Sequence, residues 1–587
     1  MSVRVGALRP SQAVTQFGPG ALIDSPTLSM VVAGVDEWNL NTARRIDEPR
    51  LARLLRVTTF RQPPYYKEGA GGIPARLFPR YLVCPRCNRL ALHTSFDFNA
   101  GRAEHLCRSP QCGGNGKAVA YPARFMVACP SGHLADFPWH AYVHPPEVHC
   151  TAELALEDSG STGAITDLWV KCKTHGVSKN LGQAFGIAGR KHLPLCTGER
   201  PWLGDRDPEG CGAQPHVLLR GASNAYFPLV ASAISIPPWS DPIQIALGAY
   251  IELLAKVDSL EKLRSWIEIN NAPELEEFPP ERLWDAIQRR RSGADADELS
   301  LKAEEWRAFQ APQTRIDAKA EFRSRVVEVP VEGKEFISRV VQLERLREVR
   351  ALRAFTRIDP VPDVGDLDDV SAIDLGYAPI YRHKPDWLPG IDFRGEGLLI
   401  QFDEQRIRHW EARSEVLALE SRQQRAEQKW YQTRGMELRE PRPVRYVLLH
   451  TLAHLLIRQL ALDCGYSSAS LRERIYCSKD PSAPMAGVLI YTASSDSEGS
   501  LGGLVEMGRP EILGPLLARS LSDAALCAND PLCADRDPAA TGAHLNGAAC
   551  HACVLLSETA CEAGNHYLDR GAVVPTLRNV GTAFITG

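Results

Sequence analysis

Between Gln342 and Ile358 the chain reads QLERLREVRALRAFTRI. Leu343, Leu346, Val349, Leu352 and Phe355 recur every third residue, and Arg345, Arg347, Arg350, Arg353 and Arg357 occupy positions around them. The spacing predicts an amphipathic helix with a solvated basic face beside Glu344 and Glu348. A phosphate-contacting face is the alternative. From Asp403 to Glu440 a long, highly charged helix is expected, with Ile407, Trp410 and Leu417 on its buried stripe, as a spacer or a partner-docking arm. The run YVLLHTLAHLLIRQLAL reads as a buried helix, because two histidines and an arginine interrupt it as a membrane span. An apolar strand from Gly487 to Thr492 runs into a polar, glycine-rich loop, and a helix follows from about Pro510.

These patterns divide the 587 residues into four expected regions. Residues 1–80 are irregular or β, 81–240 are rich in cysteine, 241–440 are helical, and 441–587 mix helix and strand. The fold class expected is α+β and multidomain: a zinc-ribbon-like N-terminal half, a helical middle and a mixed α/β C-terminal domain. A hydrophobic content of 44% is ample for several cores, and a net charge of −4 carries no nucleic-acid signature, so DNA contact must come from a local surface or a partner. No apolar segment of signal-peptide length follows Met1, so a cytoplasmic location is expected. Thiols stay reduced there, and clustered cysteines read as metal or redox sites.

Two pairs of possible ligands stand out first. CPRC supplies Cys84 and Cys87, and CRSPQC supplies Cys107 and Cys112. Two short-spaced pairs about twenty residues apart suit a zinc ribbon, in which two knuckles offer four thiolates in a tetrahedron. Cys172 and His175 with Cys196 and Cys211 make a second plausible shell. Cys129, His133 and Cys150 suggest a further site without an evident fourth ligand; buried thiols and core histidines are the other reading. Near the C-terminus, Cys527 and Cys533 precede Cys550 and Cys553, again with zinc-site spacing, and Cys561 is an alternative to Cys533. A thioredoxin-like role for CHAC would need a preceding strand, and the segment before it reads as loop.

Catalytic signatures are lacking. No Walker phosphate loop and no H-E-x-x-H occurs. His450 and His454 share a helix face, but Thr451 stands where a metalloprotease carries glutamate, so core histidines are expected. In the loop after Thr492, Asp496, Glu498, Gly499, Gly502 and Gly503 suggest a close backbone approach to a partner or ligand, or else a structural turn.

The C-terminal run YVLLHTLAHLLI, CGYSSASLRERIY, GVLIYTASSDSEGSLGGL, CHAC and NHYLDR resembles a helicase-associated domain found in superfamily 2 helicases of the mitomycin repair factor A type. GALRPSQAVTQFGPGALID, CPSGHLADFPW, CTGERPWLG and RGASNAYFPLVASAISIP resemble the DrmB family of the DISARM anti-phage system. His175 departs from the family pattern, which implies a cysteine there; imidazole can replace a thiolate in a zinc shell. The resemblance implies zinc as cofactor, a helicase subunit, DrmA, as partner in a heterodimer, DNA engaged through the complex, and no enzymatic activity of its own. A metal-dependent nuclease or other hydrolase acting through the loop at 496–503 is the alternative.

Overall fold

The computed structural model describes residues 4–66, 72–112, 118–160, 164–251, 253–270, 272–292, 300–311, 320–360, 377–434, 440–465, 467–492, 503–541 and 545–586. In the cysteine-rich half, short strands do the work. They are β1 (Tyr81–Val83), β2 (Arg89–Leu92), β3 (Phe96–Asn99), β4 (Glu104–Cys107), β5 (Val119–Pro122), β6 (Phe125–Ala128), β7 (Leu134–Asp136), β8 (Leu154–Asp158), β9 (Leu168–Cys172), β10 (Val177–Asn180) and β11 (His216–Leu219). Eight of them form one sheet in the order β10-β9-β8-β2-β1-β5-β4-β3, and β7-β6-β11 form a second. Alternate burial along β4 and β5 shows the period of two that a half-covered strand requires.

A larger, nine-stranded sheet follows. Its main path uses β12 (Phe227–Ile234), β13 (Ile337–Thr356), β14 (Trp387–Phe402), β15 (Leu471–Ser478) and β16 (Met485–Thr492), in the order β12-β13-β14-β16-β15. The middle of the chain therefore contributes two long strands, alongside helices at Pro242–Tyr250, Leu260–Asn270, Pro280–Ser292 and α1 (Leu301–Gln310). This corrects the expectation of a helical middle.

The arginine-rich stretch is the clearest departure: it is β13, a 20-residue strand. Leu343 pairs with Gly397 and Leu346 with Gly395, so β13 carries one extra residue there, a bulge. The bulge puts Leu343 and Leu346 on the same face, in one core with Val341, Leu399 and Tyr476. Val349, an odd step further on, joins the core on the other side, with Phe60 and Trp202. A strand buried on both faces and reset by a bulge thus mimics the spacing of a helix. Its arginines are not a solvated or phosphate-binding face either. Arg347 meets Glu321 and Asp392, each at about 3.2–3.3 Å. Arg350 pairs with Glu348. Arg357, fully buried, donates to the carbonyls of Gly20, Gly132 and Ala225.

The charged segment from Asp403 to Glu440 is two helices, α2 (Glu404–Glu411) and α3 (Ser414–Arg434). Ile407 and Trp410 are buried as expected, but Leu417 is exposed, and Val416 and Leu419 take the inward positions. The break at Ala412 and Arg413 shifts the phase of the second helix. Next, α4 (Val444–Cys464) is enclosed by β15, β16 and α5 (Pro510–Ala524) in the C-terminal core. Among the described residues no helix is long and apolar enough to cross a membrane.

Glu427 on α3 is buried in this core, accepting from Tyr567 Oη at 2.8 Å and the Arg442 amide at 3.2 Å. Burial pushes its carboxyl up to about 7 from an ordinary 4.5. The folded protein therefore holds this proton more tightly than the unfolded chain does. The associated stability is fully present below pH 4.5 and is lost as pH rises through 7, by on the order of 3 kcal/mol. Glu427→Gln should remove that loss. The difference in thermal midpoint between Glu427→Gln and the wild type should widen from pH 6 to pH 8; a constant difference would sink this account.

Candidate metal centres

The knuckle between β1 and β2 presents Cys84 and Cys87. Asn88 closes it in the left-handed region, at φ 58°, which asparagine tolerates better than most residues. The end of β4 and the turn after it present Cys107 and Cys112. Cys84 and Cys112 sulfurs lie 3.3 Å apart, and those of Cys87 and Cys107 3.9 Å. Four donors at about 2.3 Å from a tetrahedral zinc stand about 3.8 Å from one another. The geometry therefore fits the ion.

The next shell gathers Cys129, His133, Cys196 and Cys211. Cys129 follows β6 and His133 precedes β7, and Gly132 turns the hairpin at φ 82° with Ala378 packed against it. His133 Nδ1 lies 3.4 Å from Cys129, whose sulfur is 3.9 Å from Cys211. His133 Nε2 faces Asp207 at 3.0 Å, an arrangement that fixes the tautomer and leaves Nδ1 as ligand.

A third shell is His144, Cys150, Cys172 and His175. Cys172 closes β9 and sits 3.9 Å from Cys150 and 3.4 Å from His175 Nδ1. His144 donates from Nδ1 to the carbonyl of His140 at 2.9 Å, so Nε2 carries the lone pair. That Nε2 is buried without a hydrogen-bond partner, which a metal would satisfy.

The sequence had placed Cys172 and His175 with Cys196 and Cys211. The fold separates them, because Cys172 and His175 lie at the turn between β9 and β10 of the eight-stranded sheet while Cys196 and Cys211 flank the short hairpin at 199–206. Each pair is completed from an earlier segment: one by Cys129 and His133, the other by His144 and Cys150. Cys150 is thus no partner of Cys129 and His133. Interleaved pairs of this kind cannot be sorted by spacing. His144 and Asp207 escaped sequence reasoning because neither lies in a short ligand motif.

The fourth shell joins Cys527, Cys533, Cys550 and Cys553, with sulfur separations of 3.5, 3.7 and 3.7 Å. Cys561 is not part of it. Asp530 accepts from the Cys527 amide at 2.9 Å and pairs with buried Arg570, which holds the loop. Burial disfavours the charged form of Cys550, but hydrogen bonds from Asn529 and the Ala552 amide lower its thiol to about 6.

Asp496, Glu498, Gly499 and Gly502 of the glycine-rich loop lie outside the described residues. Gly503 opens a short helix, Gly503–Glu506. The flanks on both sides are tied to buried Glu396: its amide donates to Thr492 Oγ1 at 3.1 Å, and its carboxylate accepts from the Leu504 amide at 2.8 Å.

Residues 9–227, which hold the first three shells, match a domain of unknown function (DUF8724). Residues 452–554, which hold the fourth, match the MrfA Zn-binding domain. The chain is 34% identical over 590 residues to the DISARM protein DrmB of Bacillus paralicheniformis (strain ATCC 9945a / NCIMB 11709 / CD-2), covering 96% of this chain and all of that one. The chain belongs to the DrmB family. Its place is thus in antiviral defence, and zinc is its cofactor, with the four C-terminal cysteines inside the zinc-binding domain. The structure of the DUF1998 helicase MrfA bound to DNA matches 38% of this chain and 23% of that one, at 11% identity and a TM-score of 0.17. Cys527, Cys533, Cys550 and Cys553 would hold the zinc, which would cross-link the two cysteine-bearing segments.

Proposed function

We propose that this DrmB-family chain is a non-motor accessory subunit of a DISARM complex in the bacterial cytoplasm. It binds a superfamily 2 helicase, DrmA, as a heterodimer and helps it engage foreign DNA. The observation that carries this reading is the near full-length match to DrmB. The absence of a Walker phosphate loop from the sequence supports a role beside a motor. The nuclease alternative rests on a loop most of which lies outside the described residues, and no observation favours it.

The test is co-expression of the tagged chain with the helicase. A stable one-to-one complex is expected, with DNA binding or DNA-dependent ATP hydrolysis by the helicase altered by this chain. No complex and no effect on the helicase would refute the reading. The isolated chain should hydrolyse no ATP.

All four shells are proposed to hold structural zinc, and the loop from Asp496 to Gly503 to face the helicase or the DNA it holds. Where His133 is a ligand, Asp207 acts as its orienting carboxylate. Asp207→Ala should weaken zinc retention at that shell by about 10–100-fold. Chelator competition reads this directly; retention equal to wild type would remove Asp207 from the site.

A further inference from the structure

The C-terminal core encloses four side chains that the cysteine shells do not use. His450 and His454 lie one turn apart on α4. Glu473 faces them from β15, and Cys561 reaches in from the loop after the fourth shell. One donor atom from each lies within 4.8 Å of all the others. His450 Nε2 is 2.8 Å from Glu473 Oε1 and 3.1 Å from Cys561 Sγ, and His454 Nε2 is 3.3 Å from Glu473 Oε1. Both histidines and the glutamate are buried.

We propose that His450, His454, Glu473 and Cys561 form a further zinc site, buried in the C-terminal core beside the four-cysteine shell. Three observations carry this beyond a set of packed polar residues. The first is the direction of the hydrogen bonds. His454 donates from Nδ1 to the Val554 carbonyl at 3.0 Å. In the neutral imidazole, Nε2 then presents a lone pair to a carboxylate oxygen. Lone pair against lone pair is repulsive unless a proton or a metal cation lies between them. A zinc ion is such a cation, and the Val554 carbonyl is the kind of outer partner that orients a ligating histidine.

The second observation is the environment of Cys561. Its sulfur accepts from the amide two residues on, Ala563, at 3.4 Å, and from Asn565 at 3.2 Å. The same amide-to-sulfur bond, from residue i+2 and also at 3.4 Å, occurs at Cys107, Cys150, Cys196 and Cys527, one in each cysteine-containing shell. Such bonds stabilise a thiolate, the form that binds metal. Cys561 is thus built like a ligand, although it has no cysteine partner.

The third is charge. Among the described residues, the ion-pair partners of Glu473 are the two histidines alone, and its Oε2 is buried without a hydrogen-bond partner. A buried carboxylate without a fixed cation is costly. Two imidazoles, one carboxylate and one thiolate match the donor types zinc accepts in four-coordinate sites. Thr451, between the histidines, donates to the Val447 carbonyl at 2.6 Å and takes no part. The site is closed, so its role is to clamp α4, β15 and the loop at 561–565 together. Val554 couples it to the neighbouring shell, because it follows Cys553 directly.

The test measures zinc in the full-length protein, purified under reducing conditions without chelator. Cys561→Ala and Glu473→Gln should each lower the content by one equivalent relative to wild type. Glu473→Gln keeps the size and most of the hydrogen bonds, so it separates metal loss from packing loss. Unchanged zinc in folded variants would overturn the proposal and leave a hydrogen-bonded histidine–glutamate core. Should both variants fail to fold, anomalous scattering at the zinc edge from wild-type crystals decides. A peak among these four residues supports the site, and its absence while the C-terminal cysteine shell shows one overturns it. Missing peaks at the three N-terminal shells would count against those shells without touching this one.

Discussion

Cys550→Ser should lose one equivalent of zinc and most of its soluble yield. Cys533, Cys550 and Cys553 are not surface thiols; they stand in the C-terminal core with Leu545, Val554 and Leu568. The two segments that carry the cysteines, around Cys527–Cys533 and Cys550–Cys553, contain little regular structure among the described residues. Few hydrogen bonds of a helix or strand hold them, so the metal supplies much of their order. Zinc binding contributes on the order of 10–16 kcal/mol to the folding of small zinc domains, as much as the whole net stability of a typical domain. A serine hydroxyl does not ionise near neutral pH and cannot replace the thiolate. The remaining three sulfurs would be left close together without the ion. Zinc quantification and limited proteolysis of the C-terminal region check this. Full zinc content with wild-type protease resistance in Cys550→Ser would show that the shell does not depend on the metal.

The second large effect is expected from Arg474→Met, a loss of about 3–5 kcal/mol. Glu305 of α1 is fully buried and collects Arg474 Nε at 2.6 Å, Arg474 Nη2 at 3.0 Å, Tyr476 Oη at 2.8 Å and the Ile234 amide at 3.0 Å. Arg474 also donates to Ser232 Oγ at 3.0 Å. One carboxylate thus joins a helix of the middle region to β12 and β15, at opposite ends of the main path of the nine-stranded sheet. Removing the guanidinium leaves that carboxylate buried with only neutral donors in direct contact. The denaturant midpoint should fall accordingly. Adding Glu305→Gln should recover part of the loss, because an uncharged amide no longer needs the cation. No recovery in the double variant would show that Arg474 acts through packing rather than charge compensation.

Where local chemistry decided the outcome, the residues were enough. The pairing of Cys84 and Cys87 with Cys107 and Cys112, and of Cys527 and Cys533 with Cys550 and Cys553, follows from two knuckles close in sequence, and the structure brings each set within ligand distance. The strand ending at Thr492, the helix starting at Pro510 and the buried helix α4 likewise follow from their own hydrophobic patterns. A continuous apolar surface on α4 calls for enclosure whatever surrounds it.

Three features were decided only by tertiary structure. The strand β13 has the spacing of a helix, and pairing with β12 and β14 overrides it; a bulge and two buried faces are properties of the sheet, not of the segment. The partners of Cys129–His133 and of Cys172–His175 depend on which loops the two N-terminal sheets bring to the same corner. The meeting of His450 and His454 with Glu473 and Cys561 requires a helix, a strand and a loop up to 111 residues apart in the chain. Spacing reports only what a few consecutive residues can hold in common. The contacts that close a shell between distant segments arise when burial of the core fixes those segments against one another.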